Sequence, residues 1–265
     1  MEFFPQLETG ALVQYPLRKR IDTRTVLNRS LDGTQVKLFE GGATRLLWEL
    51  HYSGLTAQEV ELIESLFHTV EGRLGSFTWL DPTGNLLASS EQFDAPSWIS
   101  GPLVSHVGGG ADPLGGTAAY RITNAAQISQ DIEQSIAASG RFSYCFSIWA
   151  RSDSLMPLTL SARTSSTTSS IARTATAGWS RITFSVHLDV PEEQITFAIS
   201  LPAGGAADLF GAQVDAQPEP SPYKRTAAAG AVYTAARFDQ DALSVQADGR
   251  DSHRTSLQIV TTTQE

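Results

Sequence analysis

Five histidines, His51, His68, His106, His187 and His253, are the side chains best suited to metal or proton chemistry, and their spacing supports neither. No two stand at ligand spacing, and no cysteine or carboxylate cluster completes a zinc site around them. His51 and His68 fall on a strand and a helix that can be neighbours, yet a third ligand is missing. Serine has no nucleophile elbow of the Gly-x-Ser-x-Gly kind, and Ser165, Ser166, Ser169 and Ser170 sit in a polar run that reads as a loop. Glu192-Glu193, after Pro191, is the only tight acidic pair. It reads as a solvated turn, although the carboxylate pair of a glycoside hydrolase is defined in space and not in sequence. Gly108-Gly109-Gly110 lack the lysine and helix of a phosphate-binding loop and read as a flexible loop. Asp112 offers one carboxylate where a hard cation wants six to eight oxygens. Cys145, the single cysteine, excludes an internal disulfide. Its setting, Phe142-Ser143-Tyr144-Cys145-Phe146-Ser147-Ile148-Trp149, reads as a buried strand with the thiol as a small hydrophobe. The expectation is a protein that is not an enzyme and holds no cofactor or metal.

Two other groups of side chains suit contact. Exposed Trp or Tyr rings stack on pyranose faces, and Trp98, beside Pro96 and before Gly101-Pro102, is the best exposed candidate. Trp149 and Trp179 lie in apolar strands and read as core. Arg18-Lys19-Arg20, with Arg24 and Arg29, is the one basic concentration. It lacks the interleaved aromatics of a nucleic-acid patch. Pairing with acidic surfaces of neighbouring subunits, where Arg suits bidentate contacts, and a simply solvated strand are both open to it.

Bulk properties narrow the class. With 19 basic and 28 acidic residues the net charge is −9, which argues against a sequence-independent grip on DNA or an anionic membrane. An apolar share of 41% and a charged share of 18% describe an ordered chain. No apolar run approaches a bilayer span. Met1-Glu2-Phe3-Phe4-Pro5 lacks the basic-then-apolar layout of a secretory signal, so synthesis and folding in the cytoplasm are expected.

The elements that must position these residues are mostly strands. Arg24–Leu31 and Thr34–Phe39 flank Asp32-Gly33, a strong hairpin signal because both turn residues tolerate positive φ. In Thr44–Tyr52 the residues Leu46, Trp48, Leu50 and Tyr52 share a face, the period of a half-buried strand. The period then changes. Thr56-Ala57-Gln58-Glu59 is a capping box, followed by Val60, Ile63, Phe67 and Val70 at helical spacing and by Gly72 as a stop. Ser76–Leu80 is a further strand. Residues 91–229 turn rich in Ser, Thr, Ala and Gly. They carry seven strand candidates: 118–123, 128–132, 142–150, 155–162, 179–188, 194–201 and 210–214. That number of short strands between turn signals suits a β-sandwich or jelly roll. Near the end, Ala242–Ala247 and Arg254–Thr261 flank Asp248-Gly249, and a lone hairpin needs an existing sheet. The reading is one discontinuous domain, 1–90 plus 230–265, with 91–229 inserted.

Two stretches carry a resemblance. Phe4-Pro5, Trp48-Glu49-Leu50, the helix, and above all Glu71-Gly72-Arg73-Leu74-Gly75-Ser76-Phe77-Thr78-Trp79-Leu80-Asp81-Pro82 resemble the N-terminal domain of distal and minor tail proteins of long-tailed phages and gene transfer agents. Gly211-Ala212-Gln213-Val214-Asp215, then Pro220-Ser221-Pro222-Tyr223 and Thr226, resemble the closing strand and exit of carbohydrate-binding-module-like sandwiches in phage tail proteins. Trp98, Asp112-Pro113 with Gly115-Gly116, Ser147–Arg151 and Trp179-Ser180-Arg181 fit the same pattern, and Tyr233–Asp239 is similar to the re-entry into a tail-ring domain. The resemblance implies a mainly β protein: a tail-ring β-sandwich or barrel domain with one packed α-helix, plus an inserted jelly-roll-like β-sandwich. It implies a virion structural protein at the tail tip or baseplate, in a ring of copies, commonly a hexamer. Its partners would be the tail tube, tape-measure and hub or tip proteins. The outward sandwich would touch protein or a host surface glycan, with a lectin-like adhesin as the alternative.

Overall fold

The computed structural model describes residues 1–262, with 41–43 described by their backbone alone. In chain order the first elements are β1 (Arg18–Arg29), β2 (Gln35–Leu55), α1 (Ala57–Thr69) and β3 (Phe77–Leu80). Then come β4 (Ile99–Ser100), β5 (Val104–Gly110), β6 (Ala119–Asn124), β7 (Gln130–Ala137), β8 (Ser143–Arg151) and β9 (Met156–Arg163). They are followed by β10 (Thr168–Ala175), β11 (Ser180–His187), β12 (Gln194–Leu201) and β13 (Ala206–Asp215). The last are β14 (Val232–Phe238), β15 (Val245–Gly249) and β16 (Ser252–Thr262). The protein is mainly β with one helix, and it divides into two compact units. One holds residues 1–8, 13–79 and 233–265; the other holds 9–12 and 80–232.

The first unit is a sheet in the order β1-β2-β16-β14-β3, with β15 paired to β16. β1 and β2 form the hairpin expected at Asp32-Gly33: Gly33 takes φ +88°, and the Asp32 carboxylate accepts the Thr34 N–H at 2.9 Å. β16 pairs with the second half of β2, from Thr262↔Arg45 to His253↔Leu55, so both chain ends contribute to one sheet. The capping box at α1 is present, with Thr56 Oγ1 accepting from the Glu59 N–H and Glu59 accepting from the Thr56 N–H. Glu71 and Gly72 both take positive φ and end the helix. Val60, Ile63, Leu66 and Phe67 face the sheet. Rings from five segments close the core: Phe4, Trp48, Phe67, Trp79 and Phe238 meet with centroids 5.1–6.5 Å apart.

The second unit is a jelly-roll-like sandwich of two five-stranded antiparallel sheets, β10-β9-β12-β7-β4 and β11-β8-β13-β6-β5. Alternation aims one side of each strand inward. Tyr144 and Phe146 of β8 meet Phe197 of β12 at 5.9 and 5.5 Å, joining the two sheets through an apolar core.

Three expectations need correction. The segment around Thr164–Ser170 is not all loop, because β10 pairs with β9 from Thr168↔Arg163 to Ala175↔Met156. Gly108-Gly109-Gly110 lie in β5 beside β6 rather than in a flexible loop. A Cβ on Gly108 would stand 2.9 Å from the Tyr120 ring, so the glycine makes room for an aromatic. The last hairpin turns at Arg250-Asp251, after the Gly249↔Ser252 pair, and not at Asp248-Gly249. There the Asp251 carboxylate accepts the Ala57 N–H at 2.7 Å, at the positive end of α1.

Candidate functional site

In the first unit the basic cluster stands on a projecting arm. Beyond the Asp22↔Arg45 pair, β2 has no strand partner other than β1 among the described residues, and residues 24–29 and 35–40 continue as a two-stranded ribbon. Six residues per strand at ~3.3 Å each carry it ~20 Å outward. Cross-strand partners share a face, so Val26, Val36 and Leu38 lie on one side. Leu27, Arg29, Lys37 and Phe39 lie on the other. Leu27 is 57% exposed, Phe39 62% and Leu38 51%, so apolar side chains on both faces stand in water. The ribbon, residues 24–40, holds three basic and two acidic residues and is net +1, leaving −10 for the rest of the chain.

The predicted interface residues sit at the base of this arm and are engaged within the chain. Arg18 pairs with Glu49 at 3.5 Å, Arg20 with Asp22 at 2.8 Å and Arg24 with Glu40 at 3.3 Å. Lys19 Nζ stands 5.3 Å from the Trp48 ring. Arg29 and Lys37, nearer the tip, form no ion pair among the described residues. Lys37 escaped the sequence reading because it stands alone among apolar residues.

In the second unit, Trp98 is not the exposed platform expected. It is 6% exposed, its indole N–H donates to the Ser89 carbonyl at 3.1 Å, and Phe93 packs on it at 5.2 Å. A ring so covered offers no face to a pyranose. Trp149 and Trp179 are half-buried instead of core, and each lies under a guanidinium: Arg181 at 4.5 Å from Trp149 and Arg151 at 4.8 Å from Trp179. Because Trp149 pairs across strands with Arg181, and Arg151 stands beside Trp179, the four form a ladder on the outer face of β8 and β11. Tyr223 closes one end, 5.4 Å from Trp149.

The segment 217–224 crosses that same outer face and buries a polar network. Asp215, 3% exposed, accepts from Gln213 Nε2 at 2.8 Å, from Ser221 Oγ at 2.6 Å and from Lys224 Nζ at 3.0 Å. Cys145 lies beneath it, fully buried. Desolvation, reinforced by the Asp215 charge, pushes its thiol up to about 11, which favours the protonated form.

The other sheet carries an open groove of about 320 Å³ where β4 meets β7, lined by Ile99, Ser100, Gly101, Ser129, Gln130, Asp131 and Glu133. Ile99 is 63% exposed there. Arg163 of β9 bonds both Asp131, at 3.3 Å, and Glu133, fixing the two carboxylates. This groove was invisible in sequence, since β4 is only two residues long. His106 Nε2 lies 3.0 Å from Ser100 Oγ, and desolvation, against the pull of Asp94, lowers its pKa. Among the described residues no three His, Cys, Asp or Glu side chains could share a metal ion. Asp112 is occupied by its own loop, accepting the N–H groups of Leu114, Gly116 and Ala118 at 2.8–3.1 Å.

No protein-family model matches the sequence, and no curated protein aligns with it. Solved structures resemble it in strand arrangement. A CBM4 structure is 18% identical over 47% of this chain and 90% of its own, with a TM-score of 0.36. The C-terminal family 22 carbohydrate binding module of Clostridium thermocellum Xyn10B is 12% identical over 54% of this chain and all of its own, with a TM-score of 0.43. The enzymatically active domain of bacteriophage CBA120 tailspike protein 4 is 14% identical over 51% of this chain, with a TM-score of 0.40; the match spans 22% of that chain.

Proposed function

We propose that the chain is a structural, non-catalytic component of a phage-type tail tip, in which copies join into a ring between tail tube and tip. In this reading the protein is assembled in the host cytoplasm and resides in the virion, with the sandwich as an outward contact module. The observation that carries it is the arm. A two-stranded ribbon is marginal in water, and apolar side chains on both faces, with one long unpaired edge, are what an assembly partner would cover. The Gly-Arg-aromatic-Asp-Pro stretch from Gly72 to Pro82 supports the same reading. The test is the mass of the purified full chain by light scattering, with negative-stain images. Multimers are expected, and replacing residues 26–38 with Asn-Gly is expected to give monomers of unchanged circular dichroism. A wild-type chain that stays monomeric at every concentration, alone and with neighbouring tail proteins, would sink the reading.

The groove at β4 and β7 favours a second reading, contact with a surface glycan. Two fixed carboxylates, an amide and hydroxyls suit sugar hydroxyls, and Ile99 offers an apolar patch. A glycan array should give signals that Asp131→Asn with Glu133→Gln removes. A blank array with wild-type protein would remove this reading and leave the first intact.

A further inference from the structure

From the arm and the helix of the first unit we infer that the arm of one copy docks on the outward face of α1 of the next. The inference rests on the assembly reading above and adds the surface that receives the arm. One face of the ribbon tip combines two exposed apolar side chains, Leu27 and Phe39, with two cations lacking an ion pair among the described residues, Arg29 and Lys37. The face of α1 turned away from the sheet has the opposite character. Glu61 and Glu64 stand there beside Leu62, which is 46% exposed, and Glu71 and Leu74, 79% exposed, follow at the helix end. None of Glu61, Glu64 and Glu71 forms an ion pair among the described residues. From Ala57 to Leu74 there are four carboxylates against one guanidinium, Arg73, which is already held by Asp239 and Asp241. The stretch is net −3, opposite in sign to the ribbon of residues 24–40, which is net +1 and carries Arg29 and Lys37 without an ion pair among the described residues.

Complementary potentials of this kind set register and orientation between partners. The apolar side chains interspersed among the charges supply the area that leaves water. The chain also presents a matching pair on one unit, so no foreign protein is required. Because arm and helix are different patches, the contact is head to tail. Such contacts close into a ring when the rotation per subunit permits and run on as a filament when it does not.

A charge swap tests this on the full chain by sedimentation equilibrium. Arg29→Glu with Lys37→Glu, and separately Glu61→Lys with Glu64→Lys, should each weaken self-association by about tenfold or more. Circular dichroism should be unchanged, since none of these side chains is buried or holds an ion pair among the described residues. Combining all four substitutions should restore association to within about threefold of wild type, because every pairing is reversed. A combined variant no better than the weaker pair overturns the proposal. So does a helix reversal that leaves association untouched while the arm reversal abolishes it. That pattern would mean the arm docks elsewhere, with the assembly reading still standing. A wild-type chain that sediments only as a monomer would bring down both.

Discussion

Asp215 accepts four hydrogen bonds within the sandwich. Besides Gln213, Ser221 Oγ and Lys224, it accepts the Ser221 N–H at 3.1 Å, while Lys224 Nζ also reaches the Pro82 carbonyl at 2.9 Å. The ion pair is therefore the clasp between the segment entering the sandwich and the segment leaving it. Removing one member of a buried pair strands the other, at a cost of about 3–5 kcal/mol. Lys224 keeps a quarter of its side chain in water, so the low end applies: Asp215→Ala should lose about 3 kcal/mol in urea unfolding. A loss under about 1 kcal/mol would show that the clasp is decorative. The residues of this clasp were legible as a stretch, Gln213 to Asp215 with Ser221 and Tyr223, but their partners Asn85 and Pro82 were not. Asn85 donates to the Ala212 carbonyl at 2.8 Å across 127 positions of sequence, and nothing local to either residue announces that. Trp98 was misread for a similar reason: flanking proline and glycine suggest a surface loop, whereas the Ser89 carbonyl and Phe93 hold the indole inside.

Elements were readable in proportion to how much of their order is local. α1 announces itself because cap, apolar period and stop all lie within 17 residues of one another, from Thr56 to Gly72. Its cap is shared more widely than sequence reveals, since Glu59 also accepts the Glu8 N–H at 2.9 Å and Asp251 accepts that of Ala57. Thr56→Ala removes one of these three acceptors and is expected to cost about 1 kcal/mol, read as a lowered melting temperature. Thr56→Ser should recover most of it. An unchanged melting temperature for Thr56→Ala would mean that Glu59 and Asp251 already satisfy the helix end between them. β10 and β5 were hidden for the opposite reason. β10 is an edge strand whose Thr168, Ser170, Ala172 and Thr174 share the outward face, and polar edges of this kind discourage pairing with other chains. In β5 the glycines suppress the strand signal, although Gly108 is there to accept the Tyr120 ring. The arm stands between these cases: its hairpin was plain at Asp32-Gly33, but period alone could not tell that neither of its faces is covered by the described residues.

At the scale of the molecule, each unit closes its own core, and the bonds that tie the sandwich's two ends together lie within the sandwich. The Asp81 N–H donates to the Ala231 carbonyl at 2.9 Å, the Ala231 N–H to the Asn85 carbonyl at 2.8 Å, and the Leu86 N–H to the Val214 carbonyl at 3.0 Å. Entering and leaving strands are thus zipped before either passes beyond residues 80 and 232. A domain of about 150 residues buries some 70% of its unfolded surface, enough for independent stability. We therefore propose that residues 80–232, expressed alone, fold cooperatively. One cost is foreseeable, because residues 9–12 belong to the same unit and Leu12 is 1% exposed there. Losing that side chain forfeits about 2 kcal/mol of apolar burial. The excised sandwich should accordingly show a single sharp thermal transition a few degrees below the corresponding transition of the full chain, and adding residues 9–12 back as a peptide should raise it. A broad, non-cooperative melt, or dye-binding apolar surface at room temperature, would mean that the sandwich depends on the first unit for its stability. Residues 80–232 would then be an integral part of one folding unit.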